Sequence, residues 1–330
     1  MKTNTNFLAV LVYVDDMINT GNDSFQCQKF KQFLHGQFHL KDLGPLKFFL
    51  GLEVARNPEG IFLSQRKYAL DILTDTGLSG AKPSPIPMSQ QHQLGRSTST
   101  PLTDPSSYRR LVGRLLYLTI TRPDILYVVN ILSQYMHSPT LDHHDAAMKV
   151  VRYIKNSPGQ GLFFPSQNNL QLTGYCDADW GACPKTRRSI TGCYISLGNA
   201  PISWRTKKQP TVSRSSAEAE YRAMAGTTSE LLWLRALLFD LTIPHSQPMH
   251  LFCDNQAALH IAANPVFHER TKHIELDCHF VRERIQSNEL CTHFIRSEDQ
   301  PADLFTKALG FSSFQRLLGK LGVSFLHTPA

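Results

Sequence analysis

The sequence predicts an α/β fold over residues 168–310, a mixed sheet carrying helices on its faces, and three observations predict it. Short runs with strand-like patterning recur near 170–177, 188–197 and 201–207. A long helix follows at about 216–242. Beyond it, strand-like runs at 249–254 and 290–296 alternate with short helices at 256–263, 274–286 and 301–309. Three strands, a helix, a strand, helices, a strand and a helix give an order that mixed α/β sheets accommodate.

The first half is organised differently. Phe7 to Ile18 alternates apolar residues around Tyr13-Val14-Asp15-Asp16, which predicts a hairpin with two carboxylates at its tip. A helix is predicted over 24–40, then strands over 46–55 and 60–64 joined by the turn signal Asn57-Pro58-Glu59-Gly60, then a helix over 66–73. From 81 to 103 the composition shifts to Pro, Ser, Gln and Thr, marking a linker or long loop. A helical block at 105–156 starts at Asp104, shows an apolar face at Leu111, Leu115, Leu116 and Leu118, and ends at Asn156-Ser157-Pro158-Gly159. The expected units are therefore 1–80, a linker at 81–104, a helical unit at 105–167, the α/β domain at 168–310 and a C-terminal tail at 311–330. No internal repeat is found.

Composition narrows the class. The chain has 330 residues, 42% hydrophobic and 18% charged, the proportions of a globular protein long enough for two domains. A formal charge of +7 suits a polyanionic partner, because phosphates attract clustered Lys and Arg. Seven cysteines without a C-x-x-C pair argue against both a zinc knuckle and a disulfide framework. With no secretory signal and no apolar run near 20 residues, the expectation is a soluble, intracellular protein with no membrane contact, cytoplasm or nucleus left open.

Four acidic residues carry the functional reading. Phosphodiester hydrolysis needs an activated water and a neutralised phosphate, which two divalent metals about 4 Å apart supply through carboxylate ligands. Asp177 ends the first strand, sharing its strand face with Asp179, so spacing alone does not choose between them. At the start of the long helix, Ser215 and Glu218 form a capping box, which gives Glu218 a structural task. Glu220 lies about 200° round the helix from Glu218, in line with Ala223, Met224 and Thr227, and is the better ligand. Asp254 follows the apolar run Leu251-Phe252-Cys253, and Asp303 sits two residues after Pro301.

These residues lie in stretches that resemble the ribonuclease H domain of copia-type retrotransposons: GYCDADWGACPKTRRSITGCYISL, ISWRTKKQPTVSRSSAEAEYRA, CDNQAAL, HERTKHIELDCHFVRERI and EDQPADLFTKAL. The resemblance covers residues 172–307. It implies a ribonuclease H-like five-stranded mixed sheet with helices on both faces, and metal-binding catalytic carboxylates at Asp177, Glu220, Asp254 and Asp303. It also implies hydrolysis of the RNA strand of an RNA–DNA hybrid with two Mg2+ ions, Mn2+ being an alternative, leaving 3′-hydroxyl and 5′-phosphate ends. Integrases of the same broad fold place the glutamate last, whereas Glu220 stands between Asp177 and Asp254. The histidine that cellular ribonucleases H often carry before the final aspartate is absent from residues 295–300, which implies modest turnover.

Lys185, Arg187, Arg188, Arg205, Lys207, Lys208 and Arg214 cluster around the first three strands with Trp204 among them. The expectation is a grip on hybrid phosphates with the indole against a sugar or base; the alternative is a solvated basic face with a core tryptophan. His268, His273, Asp277 and His279 are read as structural or substrate-facing rather than as a zinc site.

Tyr13-Val14-Asp15-Asp16 resembles the catalytic hairpin of reverse transcriptases, and residues 44–54 and 108–113 resemble the primer grip and the thumb and connection of copia-type enzymes. The first half therefore resembles a truncated reverse-transcriptase palm followed by a helical thumb and connection. Family polymerases use a third aspartate on an earlier strand, and fingers, for which no room exists before Tyr13. The expectation is a ribonuclease H fused to an incomplete polymerase with Asp15 and Asp16 as its remnant, unless a partner chain supplies the rest. The alternative is a non-catalytic nucleic-acid-binding relic.

Overall fold

The computed structural model describes residues 7–264 and 274–325. At the N-terminus β1 (Leu8–Tyr13) and β2 (Asp16–Gly21) form the expected hairpin, with Tyr13 opposite Asp16. Helix α1 (Ser24–Gln37) starts where the Asp23 carboxylate accepts the N–H groups of Phe25 and Gln26, and none of its residues is buried.

The run expected as one strand at 46–55 is two, β3 (Phe48–Phe49) and β4 (Leu52–Asn57). The chain reverses at Leu50 and Gly51, whose φ angles of 48° and 74° end the first strand. β5 (Gly60–Ser64) and α2 (Arg66–Asp75) follow as expected. Residues 81–104 lack regular structure apart from one turn at Leu94–Arg96, in keeping with their composition. They are nevertheless pinned rather than free, because Met88 and Leu94 are buried and Ser97 donates to Asp142 at 2.7 Å. The helical block resolves into α3 (Ser106–Leu118), α4 (Leu126–Ser133) and α5 (Leu141–Asn156).

Strand β6 (Gln160–Pro165) lies within the unit expected to be helical. It pairs with β5 in an antiparallel sheet of order β12-β6-β5-β4-β3, where β12 is Val323–Phe325. The expected C-terminal tail is corrected by the same sheet. Its residues form α9 (Phe311–Leu318) and β12, and Phe314, Leu317, Leu318 and Leu321 are buried. Those four recur at helical spacing, an apolar stripe that has to find a core.

The α/β domain holds β7 (Leu172–Asp179), β8 (Ile190–Leu197), β9 (Ala200–Lys208), α6 (Ser216–Asp240), β10 (Met249–Cys253), α7 (Gln256–Ala263), α8 (Glu275–Gln286) and β11 (Leu290–Phe294). The sheet is five-stranded and mixed, in the order β11-β10-β7-β8-β9, with β10 parallel to both its neighbours and the rest antiparallel. On one face, Cys176, Cys193, Ile195, Leu251 and Cys253 pack under Ala223, Met224 and Leu231 of α6, with α7 and α8 beside it. On the other, Ile190 and Tyr194 join Leu304 and Phe305 in a core that runs without a break through α9, α4, α3 and α2. The expected unit boundary near 168 is thus a change of sheet but not a gap in the core.

The last helix, expected over 301–309, is a single tight turn, Pro301–Phe305. Ala302, Asp303, Leu304 and Phe305 are all buried, so the turn is enclosed on every side and has no solvent face along which a longer amphipathic helix would run.

Candidate active site

The parallel pairing of β10 with β7 sets the site. Phe252 is in register with Tyr175, so two residues further on the chain Asp254 comes level with Asp177 at the C-terminal ends of both strands. Asp177 is 2% exposed. Opposite it in the ladder stands Gly192, and into that gap fits the Pro301–Phe305 turn: a Cβ at Gly192 would lie 2.6 Å from the Ala302 carbonyl oxygen. The turn is tied to β7 by Gln300, whose Nε2 donates to the Cys176 carbonyl at 2.9 Å. Asp303 is thereby carried over the sheet, and ligand oxygens of Asp177, Asp254 and Asp303 lie within 4.8 Å of one another.

Glu220 approaches from the other side of the strand. Ser215 caps α6 through the Glu218 N–H, while the Glu218 carboxylate accepts from the Arg214 N–H at 2.8 Å and from Arg222 at 3.0 Å. Glu218 thus has the structural task expected of it, reaching one residue further back than a capping box does. Glu220 turns inward with Ala223, Met224 and Thr227, and accepts the Ala178 N–H at 3.2 Å. Its other oxygen lies 3.9 Å from the Cys253 thiol. Glu220, Cys253 and Asp254 form a second group with ligand atoms within 4.8 Å, so Asp254 is common to both.

Burial raises the pKa of Glu220, Asp254 and Asp303, and repulsion from neighbouring carboxylates adds to it. Burial first, then the Asp177 charge, pushes Glu220 up to about 10 and Asp303 to about 8. Asp254 is also raised by burial, against the pull of the Ser297 hydroxyl, which donates to its Oδ2 at 2.6 Å. Asp179, on the same face as Asp177, is raised by burial too, but belongs to neither group. The geometry therefore separates the two aspartates that spacing left equivalent. Clustered, buried carboxylate oxygens are the donor set that hard divalent cations prefer, so the residues fit a divalent metal site.

Three contacts here escaped the sequence reading. Thr306 Oγ donates to Asp177, Ser297 to Asp254, and the Lys307 ammonium lies 3.0 Å from Asp303 Oδ1 and 3.6 Å from Asp177 Oδ2. Lys307 follows Asp303 by four residues, a spacing visible in the sequence; the other two depend on the tertiary fold.

The basic residues divide. Lys185, Arg187 and Arg188 are exposed on the loop between β7 and β8, at the Asp177 end of the sheet. Strand β9 alternates, so Arg205 and Lys207 project to the α6 face while Trp204 and Lys208 lie on the Asp177 face. Arg205 pairs with Glu230 at 2.6 Å. Arg214 is exposed just before α6. Trp204 is not placed as the sequence led us to expect. Its indole N–H donates to the Thr119 carbonyl at 3.1 Å and its ring packs on the shared core, because α4 covers that part of β9. It joins the sheet to the helical unit and is partly buried there.

Asp15 and Asp16 are exposed at the hairpin turn and belong to no group of ligand side chains among the described residues. Asp277 and His279 lie on α8 and join none either, while His268 and His273 fall outside the described residues. No described helix is long and apolar enough to cross a membrane.

Residues 1–90 match the reverse transcriptase (RNA-dependent DNA polymerase) family. The retrovirus-related Pol polyprotein from transposon RE2 of Arabidopsis thaliana is 45% identical over 323 residues, 98% of this chain and 22% of that protein. The chain thus spans about a fifth of that polyprotein. A putative transposon Ty5-1 protein of Saccharomyces cerevisiae is 33% identical over 225 residues, 67% of this chain and 73% of that one. Among solved structures, the N-terminal RNase H domain of a Mycobacterium tuberculosis protein, fused to maltose-binding protein, aligns at 8% identity and a TM-score of 0.31, covering 46% of this chain and 98% of that one. With near half of its residues shared across almost its full length, the chain belongs to the retrovirus-related Pol polyproteins of copia-type retrotransposons.

Proposed function

We propose that residues 168–310 are a ribonuclease H that hydrolyses the RNA strand of an RNA–DNA hybrid. The observation that carries this reading is the pair of ligand groups sharing Asp254, one completed by Asp177 and Asp303, the other by Glu220 with the Cys253 thiol beside it. Two such groups, side by side at the ends of parallel strands, suit two divalent ions. Asp177, Glu220, Asp254 and Asp303 would hold them, and magnesium, or manganese in its place, would activate the attacking water and neutralise the scissile phosphate.

The chain's own residues supply the rest. The sheet and the Gln300 tether hold the carboxylates in place before substrate arrives, so little reorganisation accompanies reaction. Lys185, Arg187 and Arg188 stand beside the site and would take the hybrid's backbone phosphates. Arg205 and Lys207 lie on the opposite pleat, and Arg205 is paired there with Glu230.

A hybrid labelled on each strand, incubated with the purified chain and magnesium, tests the reading. The RNA strand is expected to be cut to 3′-hydroxyl and 5′-phosphate ends, and an Asp254→Asn variant to cut neither strand. Hybrid binding with no cutting by the unaltered chain would instead identify a non-catalytic nucleic-acid-binding relic.

A further inference from the structure

The metal-ligand face already contains one cation. Lys307 Nζ lies 3.0 Å from Asp303 Oδ1 and 3.6 Å from Asp177 Oδ2. Its position follows from the tight turn at Pro301–Phe305, after which the Lys307 N–H donates to the Asp303 carbonyl at 3.2 Å. The ammonium therefore stands over the edge of the site, between two of the three carboxylates that make up one ligand group. Asp177 is held separately by the Thr306 hydroxyl, so its orientation does not depend on the lysine alone. The lysine side chain is 38% exposed, against 3% for Asp177 and 10% for Asp303. Asp177 is fixed and both acids are enclosed, while the cation sits on a flexible stem with a way out to water.

We propose that Lys307 is a resident countercation, which holds Asp177 and Asp303 together while the site is metal-free and gives way when a divalent ion binds. A divalent ion at Asp177 and Asp303 repels the ammonium and competes with it for the same oxygens, so occupancy by the ion displaces the ammonium outward. Lys307 is then a positioning residue and also sets the threshold for metal binding. This rests on the metal-site reading above.

The test is calorimetric titration of the intact chain with Mn2+ and with Ca2+, and thermal melting with and without each ion. Lys307→Met keeps the stem and removes the charge. It is expected to tighten ion binding about tenfold or more, since the ion no longer competes with an ammonium about 4 Å away. Its metal-free melting temperature should fall, and saturating ion should close the gap to the unaltered chain. Lys307→Arg, which keeps the charge, should leave the ion affinity within about twofold of the unaltered chain if the guanidinium takes the same place. Unchanged or weakened ion binding in Lys307→Met, with the unaltered chain binding ions normally, would overturn the proposal and leave the metal site standing. An unaltered chain that binds no ion, or an Asp254→Asn variant that binds as well as it, would overturn both.

Discussion

Gly192 lies directly across the β7–β8 ladder from Asp177, and the space where its side chain would be is filled by the carbonyl of Ala302. One missing methyl group thus lets the turn bearing Asp303 settle on the strand bearing Asp177. In Gly192→Ala the new Cβ would meet the Ala302 oxygen at 2.6 Å and the Thr306 methyl at 2.7 Å. The backbone contact has no rotamer to relieve it, so the turn has to lift. Stability is expected to fall by about 1–3 kcal/mol, the usual cost of overpacking. Hybrid cutting should fall by more than that loss of folded protein explains, because Asp303 leaves its partners. Activity per folded molecule, measured well below the melting temperature, separates the two effects; equal specific activity would refute the geometric account.

Ser297 orients Asp254 by a 2.6 Å hydrogen bond and touches neither of the other carboxylates in that group. Partners of this kind typically account for about 10–100-fold in metal affinity or activity. Ser297→Ala is expected to lose activity within that range, recovering in part at high magnesium, whereas Asp254→Asn should not recover at any concentration. Steady-state rates across a magnesium titration distinguish a weakened ligand from a missing one. Asp254→Asn should also melt higher than the unaltered chain when both are metal-free, because one of the mutually repelling acids is gone.

The raised acids make stability and metal binding depend on pH in a defined direction. A carboxyl whose folded pKa lies above its ordinary value favours the folded state when protonated, and that contribution is lost as pH rises through the folded value. For Glu220 the window runs from 4.5 to about 10, and for Asp303 from 3.8 to about 8. The metal-free chain should therefore lose stability from these two groups between about pH 4 and pH 10. Ions bind the charged forms, so the rise in melting temperature produced by saturating magnesium should be larger at pH 9 than at pH 6. Melting curves at both values, with and without the ion, check it. A magnesium effect that shrinks with rising pH would contradict the assignment of these acids as ligands.

The legibility of the sequence follows the range of the interactions. Glu220 could be chosen over Glu218 because helix periodicity and a capping motif are local, and the structure brings Glu220 into the ligand cluster. Asp177 could not be separated from Asp179, since both share a strand face and only the approach of Asp254 and Asp303 distinguishes them. For Trp204 the sequence left open a base-facing indole or a core one, because its neighbours in sequence are basic and what packs on it, α4 and Thr119, lies 70 to 85 residues earlier in the chain. The stripe Phe314, Leu317, Leu318 and Leu321 was legible and was passed over, its segment being short and terminal.

The least legible feature is a buried ion pair outside the ligand cluster. Arg122 and Asp124 are 1% and 2% exposed, and the guanidinium grips the carboxylate through Nε at 3.0 Å and Nη2 at 2.8 Å. Tyr153 and Gln160 donate to the same carboxylate at 2.6 and 3.0 Å, and Arg122 also reaches the Ser157 carbonyl at 3.0 Å. The network ties the start of α4 to α5 and β6, and α4 packs on β9 of the other sheet. Asp124→Ala leaves a guanidinium buried without its counterion, at an expected cost of about 3–5 kcal/mol. Arg122→Met together with Asp124→Leu removes both charges and should recover much of that loss. Because the core is continuous from α2 to Phe305, the destabilisation should reach the α/β domain as well. Fluorescence of Trp180, Trp204 and Trp233, all in the α/β domain, and far-ultraviolet circular dichroism of the whole chain are then expected to report the same lowered midpoint in Asp124→Ala. Separate midpoints, with the sheet unaffected, would show that the two halves fold independently despite the core they share.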